Sequence, residues 1–167
     1  MRKLLPLIVI LLMLTVIATL FISMAKEDQP VTIMTGNKAM KPLPIKFGHT
    51  NDPQCAMLLE SDHNAVEVVI PDGRTWFFDD PGCMVLWVEK KPFRDQAKIW
   101  VHTIDTEKWI DARKAYYGVT DKTEMRYGFG AREKESNGTI GFDEMRLRIL
   151  RGENLTNPKI RKKLLGI

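Results

Sequence analysis

The sequence has few of the residues on which most catalytic motifs depend. Its 167 residues include only two cysteines, Cys55 and Cys83, and three histidines. It contains no Cys-x-x-Cys pair, no His-Glu-x-x-His zinc motif, no serine elbow and no phosphate-binding glycine loop. These absences exclude the common redox, zinc-protease, serine-hydrolase and nucleotide-binding motifs. Two cysteines are also too few for a disulfide framework, so any thiol chemistry belongs to one particular site.

A large excess of charge of one sign is also lacking. The chain has 25 Lys and Arg against 21 Asp and Glu, a formal net charge of +4. Such a small excess does not indicate a nucleic-acid partner. The basic residues collect near the C-terminal end, in residues 146–151 and 159–163. This pattern is typical of a solvated helix face and tail, and a contact with anionic lipid or an acidic partner is the alternative.

What the chain does have is a long apolar run at its N-terminal end. Residues 4–22 are almost wholly apolar and follow Arg2 and Lys3. A membrane-spanning helix needs roughly 17–25 apolar residues, which favours an uncleaved anchor within residues 1–25. Ser23-Met24-Ala25 offers a small-x-small site, so a cleaved signal peptide is the alternative. Because Arg2 and Lys3 stay inside, we expect a bacterial inner-membrane protein with its body in the periplasm, or an exported body after cleavage.

The rest of the chain divides by composition. Residues 26–46 carry three prolines, a glycine and several charges, which predicts a linker. A body over residues 47–152 follows, and a basic tail over residues 153–167 ends the chain.

Local patterns predict an α+β body. Residues 65–70 and 74–78 are short apolar strands joined by a Pro-Asp-Gly turn, which predicts a hairpin. Asp80 and Pro81 are suited to cap and begin a helix that ends before Pro92, and a strand over 98–104 follows. Residues 109–117 and 126–132 read as strands before a helix that ends at Gly152. We therefore predict two small ββαβ-type units, about 47–105 and 106–152, after an N-terminal transmembrane segment.

The strongest candidate for chemistry is Cys55-Ala56-Met57. In an extended segment, residues two apart point to the same face, so a thiolate and a thioether would converge. Both are soft donors that select Cu(I). A small buried cysteine beside a core methionine is the alternative interpretation. Cys83, at the predicted helix start, is interpreted as a packing residue, with a Cys55–Cys83 disulfide as its alternative.

Two further residues could complete a copper site. His102 lies in a predicted strand, and imidazole is a good copper ligand, although a lone strand histidine is more often structural. Met125 lies between a polar loop and a glycine-rich strand, where a mobile thioether could reach a metal or fill a gap in the core.

Several blocks of the sequence form a set that resembles a known family. In order, they are Cys55-Ala56-Met57, Phe78-Asp79-Asp80-Pro81-Gly82-Cys83-Met84, Ile99-Trp100-Val101-His102, the run over residues 109–117, and Met125-Arg126-Tyr127-Gly128-Phe129-Gly130. Together they resemble the NosL family of nitrous-oxide-reductase accessory proteins, with similar order and spacing over about half of the chain, residues 52–132.

The resemblance implies a function and a ligand set. It implies a periplasmic Cu(I) chaperone, not an enzyme, that helps to assemble a copper enzyme such as nitrous oxide reductase in denitrification. The implied partners are a membrane-bound copper-delivery or ABC-type maturation system and the target copper enzyme. The family's ligands carry over to Cys55, Met57 and Met125, and His102 is our choice for a further ligand. The implied fold, two strand-strand-helix-strand units, is related to the organomercurial lyases.

The chain departs from the family pattern in two ways. Family members usually have Gly between the Cys and the Met, where this chain has Ala56, and they are usually lipoproteins, where this chain has an apolar anchor. Two other functions are therefore carried as alternatives. One is a metal-free envelope scaffold. The other is an organomercurial-lyase-like enzyme, which needs paired thiolates, Cys55 and Cys83, and a nearby acid, Asp79 or Asp80.

Overall fold

The computed structural model describes residues 5–27 and 29–166 and shows an α+β protein. An N-terminal helix, α1 (Leu5–Glu27), belongs to one compact unit, and the body from Val31 onward forms another. Within α1, Pro6–Met24 has a mean hydropathy of 2.9 and is long and apolar enough to cross a membrane. The predicted fold class is confirmed. Arg2 and Lys3, which carry the predicted orientation, lie outside the described residues.

The body is built on a four-stranded antiparallel sheet in the order β2-β1-β3-β4. Its strands are β1 (Val66–Val69), β2 (Thr75–Phe78), β3 (Lys98–His102) and β4 (Trp109–Asp111). Alternate side chains of one face pack in the core with helix α2 (Pro81–Val88). Asp80 caps α2 by accepting a hydrogen bond from the Gly82 amide at 2.7 Å, as predicted. The segment between β2 and α2 therefore has a fixed geometry.

A second, smaller sheet completes the body. Its strands are β5 (Tyr116–Tyr117), β6 (Ala131–Arg132) and β7 (Ile140–Gly141), in the order β6-β5-β7, and the helices α3 (Phe142–Arg151) and α4 (Pro158–Leu165) follow. The second half of the body is thus strand-strand-strand-helix in sequence. Gly152 ends α3 in a left-handed conformation, as predicted. The predicted basic tail contains a helix, α4.

Two predicted strands are shorter in the structure. The strand predicted over 109–117 is interrupted by a 3₁₀ turn, Ala112–Lys114, because the Asp111 carboxylate accepts a bond from the Arg113 amide. Its two ends therefore join different sheets. The strand predicted over 126–132 is reduced to β6, since Arg126 and Gly128 have φ values of 61° and 92° and turn the chain.

The predicted linker is wrong for residues 31–46, which we call the strap. The strap packs on the sheet face opposite α2, so the body begins near Val31 and not at residue 47. Met34 and Thr75 exchange backbone hydrogen bonds of 2.9 and 2.8 Å, and the Trp100 indole donates to the Met40 carbonyl at 3.1 Å. The physical reason is that side chains on this second face, such as Phe77 and Glu67, are fully buried and must be shielded from water on that side.

A buried carboxylate ties the strap to the sheet. Glu67 is fully buried and accepts hydrogen bonds from the Leu43 amide at 2.8 Å and the Asn37 side-chain amide at 3.3 Å. Burial raises the pKa of Glu67 to about 7, although the Leu43 bond acts in the opposite direction. The strap therefore supplies hydrogen bonds that a buried polar group requires.

This packing predicts where the chain can be shortened. A chain that begins at Val31 should unfold cooperatively, whereas one that begins at Phe47 should lose about 3 kcal/mol of stability or more, because Glu67 loses its partners and Phe77 is uncovered. Urea unfolding followed by tryptophan fluorescence compares the two chains. Equal unfolding midpoints would show that the strap is only a linker.

Candidate metal centre

Four acidic side chains converge at one end of the first sheet. The ligand atoms of Asp52, Cys55, Asp79 and Cys83 all lie within 4.8 Å of one another. Cys55 is half-buried and the other three are buried. We call these four residues the cluster. Two sulfur and two oxygen donors at this spacing could hold one metal ion.

Two of the cluster residues come from elements whose geometry is fixed. Asp79 follows the last residue of β2, and Cys83 lies in the first turn of α2. The Cys55 sulfur lies 3.7 Å from one Asp79 oxygen and 3.9 Å from the other. The Tyr127 ring packs closely on the start of α2 because residue 82 is a glycine: a Cβ there would lie 2.2 Å from the ring.

The other two cluster residues come from a tight turn. Asn51 and Leu58 form an antiparallel bridge, and between them the Asp52 amide donates to the Met57 carbonyl at 2.9 Å. Ala56 has a φ of 62°, in the left-handed region. The extended segment expected to aim Cys55 and Met57 at one point is therefore wrong, because the chain reverses between them.

Asp52 joins the turn to the sheet. One of its carboxylate oxygens accepts hydrogen bonds from the amides of Gln54 at 2.6 Å and Cys55 at 3.2 Å. The other accepts from the Asp79 amide at 3.2 Å. Hydrogen bonds from backbone amides to the side chain of a preceding Asp commonly stabilise turns. The bonds of Asp52 also bring together residues that are far apart in the chain.

The cluster contains acidic groups without a basic counterpart. Within residues 5–27 and 29–166, no lysine, arginine or histidine forms an ion pair with Asp52, Asp79 or Asp80. Burial, followed by the hydrogen bond and charge of Asp52, raises the pKa of Asp79 to about 7. A buried group of this kind either keeps protons or binds a cation.

The two thiols share this environment. Burial raises the pKa of Cys55 to about 11, although its hydrogen bond with the Met57 backbone acts in the opposite direction. Burial also raises the pKa of Cys83, and the charges of Asp52 and Asp79 add to the effect. Both thiols are free in the structure. A metal ion would have to displace their protons, so binding at the cluster would release protons and weaken as the pH falls.

The predicted ligands Cys55, Met57 and Met125 lie in different environments in the structure. Cys55 belongs to the cluster, and Met57 follows it with 47% of its surface exposed. Met125 is partly buried against the core, and its amide donates to the Asp80 carboxylate at 3.2 Å. Asp80 thereby connects the loop that carries Met125 to the start of α2.

His102 is separated from the cluster. Its Nε2 lies 3.6 Å from an Asp62 oxygen, and its ring packs edge-on against Trp109 at 5.4 Å. The physical reason is the strand order, because β1 lies between β3, which carries His102, and β2, which leads to Asp79. Two strand spacings amount to about 10 Å. His102 is therefore not one of the residues that meet at the cluster, and its role as a copper ligand stays a prediction.

Sequence reasoning missed three members of the cluster as ligands. The sequence predicts Asp79 only as the acid of an alternative enzyme and Cys83 as a packing residue, and it assigns Asp52 no role. Cys83 is indeed 1% exposed and packs in the core, yet its sulfur also faces Cys55. The available signal was the pattern Asp-Pro-x-Cys, which occurs at residues 52–55 and again at residues 80–83. It marks Asp52 and both cysteines, whereas Asp79 only precedes the second copy.

Comparison of the sequence with known protein families and with curated proteins finds no match. The resemblance to the NosL family thus stays a prediction, and function has to be argued from the site itself.

The electrostatics predict a stability change at Asp79. A carboxyl whose pKa is raised on folding favours the folded state at low pH and opposes it as the pH rises through about 7. In metal-free buffer at pH 8, Asp79→Asn should therefore raise the free energy of unfolding by about 1–3 kcal/mol. The gain should vanish toward pH 4. Urea unfolding at a series of pH values measures it, with the exposed Asp95→Asn as control. A destabilised Asp79→Asn at pH 8 would contradict the account.

Proposed function

We propose that the body binds Cu(I) at the cluster and acts as a copper chaperone, outside the cytoplasm, for the assembly of a copper enzyme. The observation that carries the proposal is the pair of free thiols, Cys55 and Cys83, held within 4.8 Å among buried carboxylates that form no ion pair with a basic side chain in the described part of the chain. A soft cation would both bind the sulfurs and neutralise the carboxylates.

The spacing of the thiols suits a single ion. Metal–sulfur bonds of about 2.3 Å place two sulfurs on one ion within about 4.6 Å of each other, so the Cys55 and Cys83 sulfurs, within 4.8 Å, need at most a small side-chain rotation to share it. Thiolate and thioether ligands select Cu(I), whereas a carboxylate-only site would favour harder ions. Met57 lies in the same turn as Cys55 and is 47% exposed, and we propose that its thioether reaches the ion from the surface as a third soft donor. An exposed donor next to buried ones is suited to passing an ion to a partner.

The resemblance to the NosL family supports the same proposal, a copper site at the cluster. Its Cys-x-Met block and its Asp-Asp-Pro-Gly-Cys-Met block meet at the cluster, although Cys55 and Asp79 are 24 residues apart. The family pattern has Gly where Ala56 adopts a φ of 62°, a conformation that Gly enters without strain. The two matching blocks and the replacement of Gly by Ala56 are thus consistent with one turn geometry.

The proposed partners are those that the resemblance to the NosL family implies. Cu(I) would come from a membrane-bound copper-delivery or ABC-type system and pass to a copper enzyme such as nitrous oxide reductase. The apolar helix α1 supports a location at the bacterial inner membrane, with the body in the periplasm.

A second candidate is the lyase-like enzyme. The observation in its favour is that Cys55, Cys83 and Asp79 do converge, which supplies two thiols and an acid. The chaperone is preferred because Cys83 is only 1% exposed and has little room for an organic substrate. Release of the hydrocarbon from an organomercurial by the reduced protein would favour the enzyme.

The copper site predicts a specific pattern of affinities. The reduced protein should bind one Cu(I) in competition with a chromogenic chelator and should prefer Cu(I) to Zn(II). Cys55→Ser and Cys83→Ser should each weaken binding by at least about a hundredfold, and Met57→Leu by about tenfold, because each cysteine supplies a charged thiolate and Met57 only a neutral thioether.

His102→Gln is the matched control for this titration, because His102 lies outside the cluster and should leave the Cu(I) affinity unchanged. Wild-type affinity in both cysteine variants would reject the site. Loss of affinity in His102→Gln with an intact fold would restore the histidine as a ligand.

Location is tested by membrane fractionation with protease protection in spheroplasts. An inner-membrane protein should sediment with membranes, and added protease should digest its body. Recovery of a soluble protein whose N-terminus is Lys26 would show that residues 1–25 are a cleaved signal peptide.

A further inference from the structure

Helix α4 is a strongly basic element at the surface of the body. Its sequence, PKIRKKLL, has four cations and no acid. Residues 158–166 are exposed apart from Ile160, which is half-buried. In the described part of the chain, none of the four cations takes part in an ion pair: Lys159, Arg161, Lys162 and Lys163. Their charge is therefore available to a partner.

The same helix exposes apolar side chains. Leu164 and Leu165 are 37% and 42% exposed, and Ile160 lies one turn before Leu164 on the same side. Ile160 and Leu164 line an open groove beside Arg148, and Leu165 lines another beside Leu155. An eight-residue helix is marginal in water unless it buries an apolar side. Helix α4 is capped at both ends, yet it buries almost nothing in the body.

We propose that α4 binds an anionic lipid surface, independently of the metal site. Short helices that combine lysine and arginine with exposed leucine lie at the membrane interface, with cations at the headgroups and leucines below them. Helix α1 of the same chain is long and apolar enough to cross a membrane. Its insertion keeps lipid at a high effective concentration around the body. An anionic lipid surface supplies both the negative charge that pairs with the cations of α4 and the apolar layer that buries its leucines.

The test uses the full chain in lipid nanodiscs. Hydrogen–deuterium exchange of the peptide that covers α4 is compared between discs of phosphatidylcholine alone and discs containing phosphatidylglycerol. Exchange should be on the order of tenfold slower in the anionic discs, and 0.5 M NaCl should remove most of the difference. Because the ratio between the two discs is the readout, a change in the intrinsic stability of α4 cancels.

Matched variants decide the source of the effect. Lys162→Gln with Lys163→Gln keeps good helix formers and should bring the ratio close to one. Lys114→Gln with Lys134→Gln removes the same charge elsewhere on the exposed surface and should leave the ratio unchanged. Equal exchange of wild-type α4 in both discs would overturn the proposal. Equal loss in both double variants would also overturn it, since general charge would then be responsible.

Discussion

The site depends on one side chain, the Asp52 carboxylate. One of its oxygens closes the turn by accepting from the Gln54 and Cys55 amides, and the other accepts from the Asp79 amide at the end of β2. A single buried carboxylate thus fixes both the shape of the turn and its position on the sheet. Because these bonds use its oxygens, Asp52 is held in place. Burial of Asp79, followed by the hydrogen bond and charge of Asp52, raises the pKa of Asp79 to about 7.

The surroundings make this arrangement rigid. Asp79 is held between β2 and the capped start of α2, where Asp80 bonds to both the Gly82 and the Met125 amides. The strap begins beside the turn, since the Val31 amide donates to the His49 carbonyl and the Asn51 amide to the Val31 carbonyl. The sheet is therefore covered on both faces, and the turn that carries Cys55 is attached to one of the covers.

Burial sets the chemistry of the cluster. Water would solvate two carboxylates and two thiols separately, but the body places them together with no basic side chain in ion-pair contact within the described residues. At low pH, protonation removes the repulsion between the four acidic side chains of the cluster. At higher pH, a thiophilic cation can replace the protons. The Asp79 carboxylate therefore lowers the stability of the metal-free body and raises its affinity for a metal, a trade-off that is common at functional sites.

Features that depend on neighbouring residues could be predicted from the sequence: the apolar helix, the 65–78 hairpin, the Asp80 cap and the soft donors around Cys55. Local patterns determine these because hydrophobicity, turn chemistry and capping act over a few residues. The tertiary structure alone decided that Cys83 faces Cys55, that His102 is two strands away, and that residues 31–46 cover a sheet. Those outcomes depend on strand order and on bonds between distant segments, such as Asp52 to Asp79, which no local pattern encodes.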